Sequence, residues 1–507
     1  RISGDGSRVL AQNNCSELAR FGDIYIARIP LGSLPALSAD RRVSRIEANR
    51  PCTATMDTVA LCVDALPVYA GEQLPQPYTG NGVVVGVMDI GFDLTHPNFL
   101  DMSCAKSRIR SFWDFLAEGL GSEQLPVGRS WSDSGEIVSL GCSRDGHTET
   151  HGTLTLGIAA GTGCGTPYQG IATGSDLCLV SNAVSSDTVY ISPDDYYKFT
   201  TATDALGFKY IFDYAGSVGR PCVISFSESF SAGMSDDDLL FDEYVSRLMG
   251  PGRIIVTSAG NESLNPGYIM KSLGRATAGA MMQSSRKTAS YKLKSVSDFG
   301  IRMELYAKGT QDLIATLDVN TSQIGSDDYY RDSVSVSPAH HFYFRAYSYE
   351  SAYQRGSKVC DIQLSSDADM LTSNFDIALT VSGAATPVEV FGGFSSYFYN
   401  DDALWADATT RSNIYMPGQM ERIITVGATT HRSRFLSDEG RWCEFSGMGS
   451  GGEVATYSSV GPTYDGRLKP DVVAPGTAVI SSYSSYYYEN FPNHNDRHNH
   501  VGYLDYG

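Results

Sequence analysis

At 507 residues, with 42% hydrophobic and 19% charged residues, the chain has the composition of a globular protein and exceeds one compact core. Two or three domains are expected. A formal net charge of −19 offers no basic face for nucleic acid, so no nucleic-acid partner is expected. No apolar run approaches the ~20 residues of a bilayer-crossing helix, so no membrane span is expected either. The chain begins at Arg1 rather than Met, so its first residues are expected to be incomplete or processed, and the lack of a signal peptide excludes nothing. None of the ten cysteines forms a Cys-x-x-Cys pair. A zinc site and a disulfide scaffold are therefore not indicated, and most of the thiols read as buried and free.

Residues 1–50 read as a small α+β unit. Residues 23–30 alternate as a strand should, Leu31, Leu34 and Leu37 have helical spacing, and residues 43–48 return as a strand. Residues 51–80, punctuated by Pro67, Gly71, Pro75, Pro77 and Gly80, read as a linker or irregular lead-in. Then comes GVVVGVMD, residues 82–89, an apolar run ending in an acid. Apolar on both faces, it fits a central parallel strand, and α/β sheets place their chemistry at the carboxyl ends of such strands. A long connection over residues 100–146 contains one strand-like piece at 108–115 and a polar stretch around 130–139. At residues 147–161, HTETHGTLTLGIAAG predicts a buried helix headed by His151, with small residues that let a neighbouring backbone approach.

Residues 176–180, 223–226 and 253–258 read as further buried strands. Between them, residues 203–217 carry Ala205, Phe208, Phe212 and Ala215 at helical spacing. Ser235 with Asp236, Asp237 and Asp238 reads as a helix start, a cap followed by acids suited to the dipole. Strands alternating with helices predict a doubly wound parallel sheet. From about Pro266 to Thr410 helical spacing gives way to short alternating runs, and seven or eight strands of a sandwich or jelly roll are expected. Residues 422–428, 453–459 and 472–481 then resume the earlier strand style. The fold class expected is thus α/β over 81–265 and 411–507, interrupted by an all-β insert over 266–410.

Three residues carry candidate chemistry. Asp89 ends a buried strand, His151 opens a helix, and Asn261 follows a strand through Ser258-Ala259-Gly260. An Asp–His pair supports a general base, because the carboxylate fixes the imidazole tautomer and stabilises the imidazolium. An Asn amide can donate to a developing oxyanion, an interaction typically worth ~3–4 kcal/mol of barrier. Alone, each has a plainer reading: a turn-forming Asp, a structural His, an ordinary Ser-Ala-Gly-Asn turn.

Together with further motifs they form a pattern. Val85–Asp89 with Gly91 and His96-Pro97, His151-Gly152-Thr153 with Gly157-Ile158-Ala159-Ala160-Gly161, and Ser258-Ala259-Gly260-Asn261 resemble the subtilisin-like serine proteases. Gly170-Ile171-Ala172, residues 425–428 (TVGA), Tyr457-Ser458-Ser459 with Gly461-Pro462, and residues 469–476 (KPDVVAPG) extend the resemblance in family order. It implies Asp89 as orienting carboxylate, His151 as general base and Asn261 as oxyanion donor, with a polypeptide substrate. It also implies a substrate-binding cleft walled by Ser181, Asn182 and Ala183 and by Ser227, Glu228 and Ser229, with Ser258, Ala259 and Gly260 lining the first pocket. His147 lacks the following Gly-Thr. Glu228 stands where the family usually has a small apolar residue, from which a preference for a basic substrate side chain is expected. Residues 1–50 resemble the family's inhibitor-like propeptide. The long connection and the β insert resemble the bacterial spore-germination subgroup, which carries a jelly roll. An extracellular, periplasmic or cell-surface location is expected. No cofactor is required, and calcium, which occurs in the family, finds no contiguous ligand loop.

The family's Gly-Thr-Ser-Met segment occurs nowhere in the chain; Ser450, in GMGSGG, precedes the Ala-Pro-Gly stretch and is a poor substitute. The expectation is a fragment, inactive alone, whose continuation supplies the serine. The alternative is a catalytically dead relative that binds a peptide or protein.

Overall fold

The computed structural model describes residues 1–46, 59–119, 125–229, 239–338, 340–352, 354–367, 370–383, 385–393, 395–400 and 405–502. The chain divides into two compact units, Arg1–Ala54 and Thr55–Gly507.

In the first unit, helix Gly6–Gln12 begins at Asp5, whose carboxylate accepts a bond from the Arg8 amide, and Val9 and Leu10 enter a core with Ile2, Cys15 and Leu37. Strands Ser16–Phe21 and Ile24–Arg28 form an antiparallel hairpin, and a 3₁₀ turn, Leu31–Ser33, leads into helix Leu34–Ala39. The strand expected over 43–48 is reduced to a single bridge between Val43 and Ile2 within the described residues.

In the second unit the lead-in is more ordered than its punctuation implies. Helices Val59–Cys62 and Ala65–Ala70 occupy part of it. Pro67 lies in the first turn of the second helix, where its missing N–H costs no bond, and Gly71 ends that helix at φ +70°.

Eight strands form the central sheet: β1 Val84–Asp89, β2 Ile109–Asp114, β3 Arg129–Trp131, β4 Asp176–Ser181, β5 Cys222–Phe226, β6 Arg253–Ser258, β7 Ile424–Thr429 and β8 Val472–Pro475. Their order is β8-β7-β6-β5-β1-β4-β2-β3, parallel throughout except for the antiparallel edge strand β3. The sheet grows away from β1 in both directions, so β1 is where the strand order reverses and where a crevice opens at the carboxyl ends.

The apolar run of β1 alternates between two cores. Val84 and Met88 meet Phe208, Ile211 and Phe212 of helix α2 (Thr201–Ser217) and Phe241 and Val245 of helix α3 (Leu239–Leu248). Val85 and Val87 meet Leu156 and Ala160 of helix α1 (His151–Ala160) on the other face. Helix start Ser235–Asp238 lies outside the described residues.

Helix α1 sits close against the turn after β1. A Cβ at Gly152 would lie 2.8 Å from both the Ile90 carbonyl oxygen and the Phe92 ring. Gly152→Ala is therefore expected to destabilise the fold by about 1–3 kcal/mol, because backbone cannot yield as a side chain does. Thermal unfolding of the variant checks this, and an unchanged midpoint would refute the close packing.

From Tyr268 to Thr409 the described residues contribute twelve strands to two all-antiparallel sheets of five and seven strands. Ile269, Leu293, Phe299, Phe342 and Leu379 belong to one shared apolar core. The seven or eight strands expected were too few. Short pieces such as Tyr397–Tyr399 and Ala408–Thr409 carry no readable alternation, and Asp328–Ser337 has hardly any buried face.

Residues 453–459 are not a strand. Val454 bridges Thr429, after which Ser458 Oγ accepts from the Ala428 amide (2.9 Å) and Ser459 Oγ from the Glu262 amide (3.0 Å). Side chains here replace the ladder that backbone would otherwise supply. The strand expected over 472–481 ends at Pro475. Cys104 and Cys164 form a disulfide that cysteine spacing did not indicate, while Cys15, Cys178, Cys222, Cys360 and Cys443 are buried free thiols.

Candidate active site

Asp89 is the last residue of β1, paired in register with Ser181 of β4, and its side chain is fully buried. An ionised carboxylate removed from water must be hydrogen-bonded, and this one is. Its Oδ1 accepts from the Ile90 amide at 2.8 Å and lies 2.6 Å from His151 Nδ1, while Oδ2 accepts from Thr155 Oγ1 at 2.8 Å. Thr155 is one helical turn beyond His151, so α1 presents both partners to the same carboxylate. Because a carboxylate only accepts, the hydrogen of this pair resides on Nδ1, leaving Nε2 with a lone pair.

The His151 side chain is 48% exposed, and among the described residues Nε2 has no hydrogen-bond partner. Burial pulls the imidazole's pKa down. The hydrogen bond and charge of Asp89 pull it up more strongly, with Glu228 and Glu149 adding to them, and the net shift is upward. His147 instead meets the Tyr486 ring edge-on at 5.6 Å.

Beneath the pair lies a buried network that the motif reading did not single out. Asp145 is fully buried; its Oδ2 accepts from the Gly91 amide at 2.8 Å, and its Oδ1 from Ser143 Oγ at 2.5 Å and Ser181 Oγ at 3.3 Å. Ser143 Oγ in turn accepts from the Phe92 amide, 2.8 Å. Thr153 Oγ1 donates to the Gly91 carbonyl and accepts from the Asp93 amide, both 2.8 Å, so the turn leaving β1 is fixed to the first turn of α1. Burial, with repulsion from Asp114 and Asp187, pushes Asp145 up to about 7 against the lowering effect of its donors. The sequence signal was faint: one acid in a polar connection, distinguishable only once its burial is known.

The expected cleft walls are partly brought together. Asn182, Ala183, Glu228 and Ser229 line one cavity of about 360 Å³, with Phe115, Phe199 and Asp204 on its other sides. Ser181 does not: its hydroxyl donates to Asp145. Ser227, next to Glu228, is half-buried and lies outside the cavity lining. Ser258 ends β6, and Ala259 and Gly260 follow it, tied to β7 by the Ala259 amide on the Val426 carbonyl (2.8 Å) and to Ser459 by its amide on the Gly260 carbonyl (3.0 Å). They do not line this cavity. Asn261 follows, exposed, and among the described residues no hydrogen bond engages its side chain. Asp204 was missed because, in the first turn of α2, it reads as an ordinary acid favoured by the helix dipole. Among the described residues no group of three or more His, Cys, Asp or Glu side chains is placed to hold a metal ion. No helix is long and apolar enough to cross a membrane.

Fold and site together define the class: a doubly wound parallel α/β protein with an imidazole–carboxylate pair at its switch strand. The subtilase family profile matches residues 80–336 and 399–500, most of the chain, and the chain belongs to that family. A 68-residue stretch is 40% identical to the serine protease AprX of Bacillus subtilis (strain 168), covering 13% of each protein. A 95-residue stretch is 34% identical to the uncharacterized protein aq_aa18 of Aquifex aeolicus (strain VF5), covering 19% of this chain and 37% of that one. The chain thus spans only a small part of the length of these curated relatives. Its fold is similar to that of the CspB protease of Clostridium perfringens, with a TM-score of 0.59 at 17% identity over 85% of this chain and 81% of that one.

Proposed function

We propose that the protein is a serine endopeptidase of the Asp-His-Ser type. The observation that carries this reading is the 2.6 Å contact between buried Asp89 and His151 Nδ1, which leaves Nε2 unpartnered among the described residues. In this scheme a serine from a Gly-Thr-Ser segment beyond residue 507 attacks the scissile carbonyl while His151 Nε2 takes its proton. The imidazolium returns that proton to the leaving amine, and water repeats the sequence to release the acyl group. Asp89 holds the tautomer and stabilises the imidazolium. Asn261, exposed after β6 with its amide unengaged among the described residues, is the proposed oxyanion donor.

The substrate is a polypeptide laid beside Asn182, Ala183, Glu228 and Ser229 as an added strand. Residues 1–50 act as a propeptide in this reading, and 266–410 form an inserted jelly roll. The Cys104–Cys164 disulfide supports an extracellular, periplasmic or cell-surface location.

A fluorophosphonate probe applied to the protein with its native C-terminal continuation is expected to label one serine, and His151→Ala to abolish the labelling. No labelling of well-folded protein would overturn the enzyme reading in favour of a peptide-binding role.

A further inference from the structure

The cavity beside the Asp–His pair holds hydrogen-bond acceptors that no donor engages among the described residues. Asn182 is only 2% exposed, and its Nδ2 donates to Glu228 Oε2 at 2.6 Å. With Glu228 ionised, that bond uses the only donor group of the two side chains. Asn182 Oδ1 and Glu228 Oε1 are both buried and unpartnered. Asp204, from the first turn of α2, adds a third acceptor group to the same cavity, and among the described residues no hydrogen bond or ion pair engages its carboxylate.

Each such group is costly alone. A buried polar atom left unsatisfied costs about 1–3 kcal/mol, more when charged, so two in one cavity, beside the half-buried carboxylate of Asp204, require an explanation. Water could serve them singly, but the apolar walls suit an occupant that is more than water: Phe115 and Phe199 flank the carboxylates. Neither carboxylate has a lysine or arginine partner among the described residues. Burial, the nearby charges of Asp89 and Asp204, and only partial relief from Asn182 and His151 push Glu228 up to about 8, and burial pushes Asp204 up to about 7. These are the shifts of carboxyls short of a countercharge.

Resting on the endopeptidase reading, we infer that the Asn182–Asp204–Glu228 cavity is a specificity pocket for an arginine side chain of the polypeptide substrate. A guanidinium brings five donors in a planar fork and so can serve several acceptors at once, whereas an ammonium offers a compact point charge. Its flat face also suits the aromatic rings of Phe115 and Phe199. Glu228 is within Coulombic reach of both Asp89 and His151, so a chain anchored here lies beside the catalytic pair. Glu228 and Asp204 are binding residues in this assignment; they take no part in the proton transfers.

The test uses the protein with its native C-terminal continuation and fluorogenic peptides in which each position in turn carries arginine, lysine or citrulline, the neutral isostere of arginine. At one position kcat/KM is expected to favour arginine over citrulline by about tenfold or more, the scale of a charge-assisted bond, and lysine to fall between them. Glu228→Gln, which keeps an acceptor for Asn182, combined with Asp204→Asn is expected to collapse that ratio towards one. Fluorescence anisotropy of the same labelled peptides on the His151→Ala protein reads binding without turnover. Hydrolysis with no arginine preference at any position overturns the pocket and leaves the protease. Arginine-selective binding that the double substitution removes, with no hydrolysis by the unmodified protein, keeps the pocket and overturns the protease.

Discussion

On the endopeptidase mechanism proposed above, Asp89→Asn is expected to fold and to lose about 10⁴-fold in kcat. The asparagine would fill the same space and still accept from the Ile90 amide and Thr155 hydroxyl that now hold the carboxylate. Its NH₂ group, however, can face His151 Nδ1 and force the imidazole hydrogen onto Nε2, where the base lone pair is needed. Loss of the negative charge also removes the main upward influences on His151, leaving burial to pull its pKa down. The acid limb of the pH–rate profile should therefore move to lower pH even as the plateau falls. Steady-state kinetics across pH, with a matched thermal midpoint, checks both. Activity within tenfold of the unsubstituted protein would remove Asp89 from the mechanism.

The second large effect is expected at Asp145, through stability. Asp145→Ala would strand the Gly91 amide and the Ser143 and Ser181 hydroxyls in a buried space, for a loss of about 3 kcal/mol or more. The same residue links stability to pH. Its folded pKa, about 7, is raised above the ordinary 3.8, so the folded state keeps a proton that the unfolded chain gives up. That stabilisation is complete below the ordinary value and disappears as pH rises through the folded one. Asp114 at about 6, Asp204 at about 7 and Glu228 at about 8 act in the same sense. The thermal midpoint is thus expected to fall between about pH 5 and pH 8, less steeply in Asp145→Asn, which cannot titrate. A midpoint rising over that range would contradict the burial of these carboxyls.

The parts of the fold legible in the sequence are those written in local pattern. Residues 82–89 announce a strand buried on both faces, and small residues after His151 announce a helix pressed against backbone. Asp89 and His151 were legible for the same reason, each tied to an element's end. Asn182, Asp204 and Asp145 were harder, because their significance depends on what surrounds them in space. Asn182 entered the reading as one wall residue among several, and nothing local says that its carbonyl is left without a donor. The serines at 458 and 459 misled in the opposite direction. They sit in a strand-like run, yet their hydroxyls take bonds that a strand would have made through backbone.

Helix α1 is clamped from residues far along the chain. Ser481 Oγ donates to the Leu154 carbonyl (2.6 Å), the Ser484 amide to Thr150 Oγ1 (3.0 Å), and the Ser485 amide and hydroxyl to Asp93 Oδ2 (3.1 and 2.9 Å). These contacts join residues more than 320 positions apart in sequence. During synthesis the histidine emerges long before its clamp does, at the ~5–20 residues per second of translation. Long-range contacts of this kind form late, after most of the loop-closure entropy has been spent. The helix bearing His151 therefore cannot reach its final anchorage until Ser485 has been made, a delay in time written into the order of the chain.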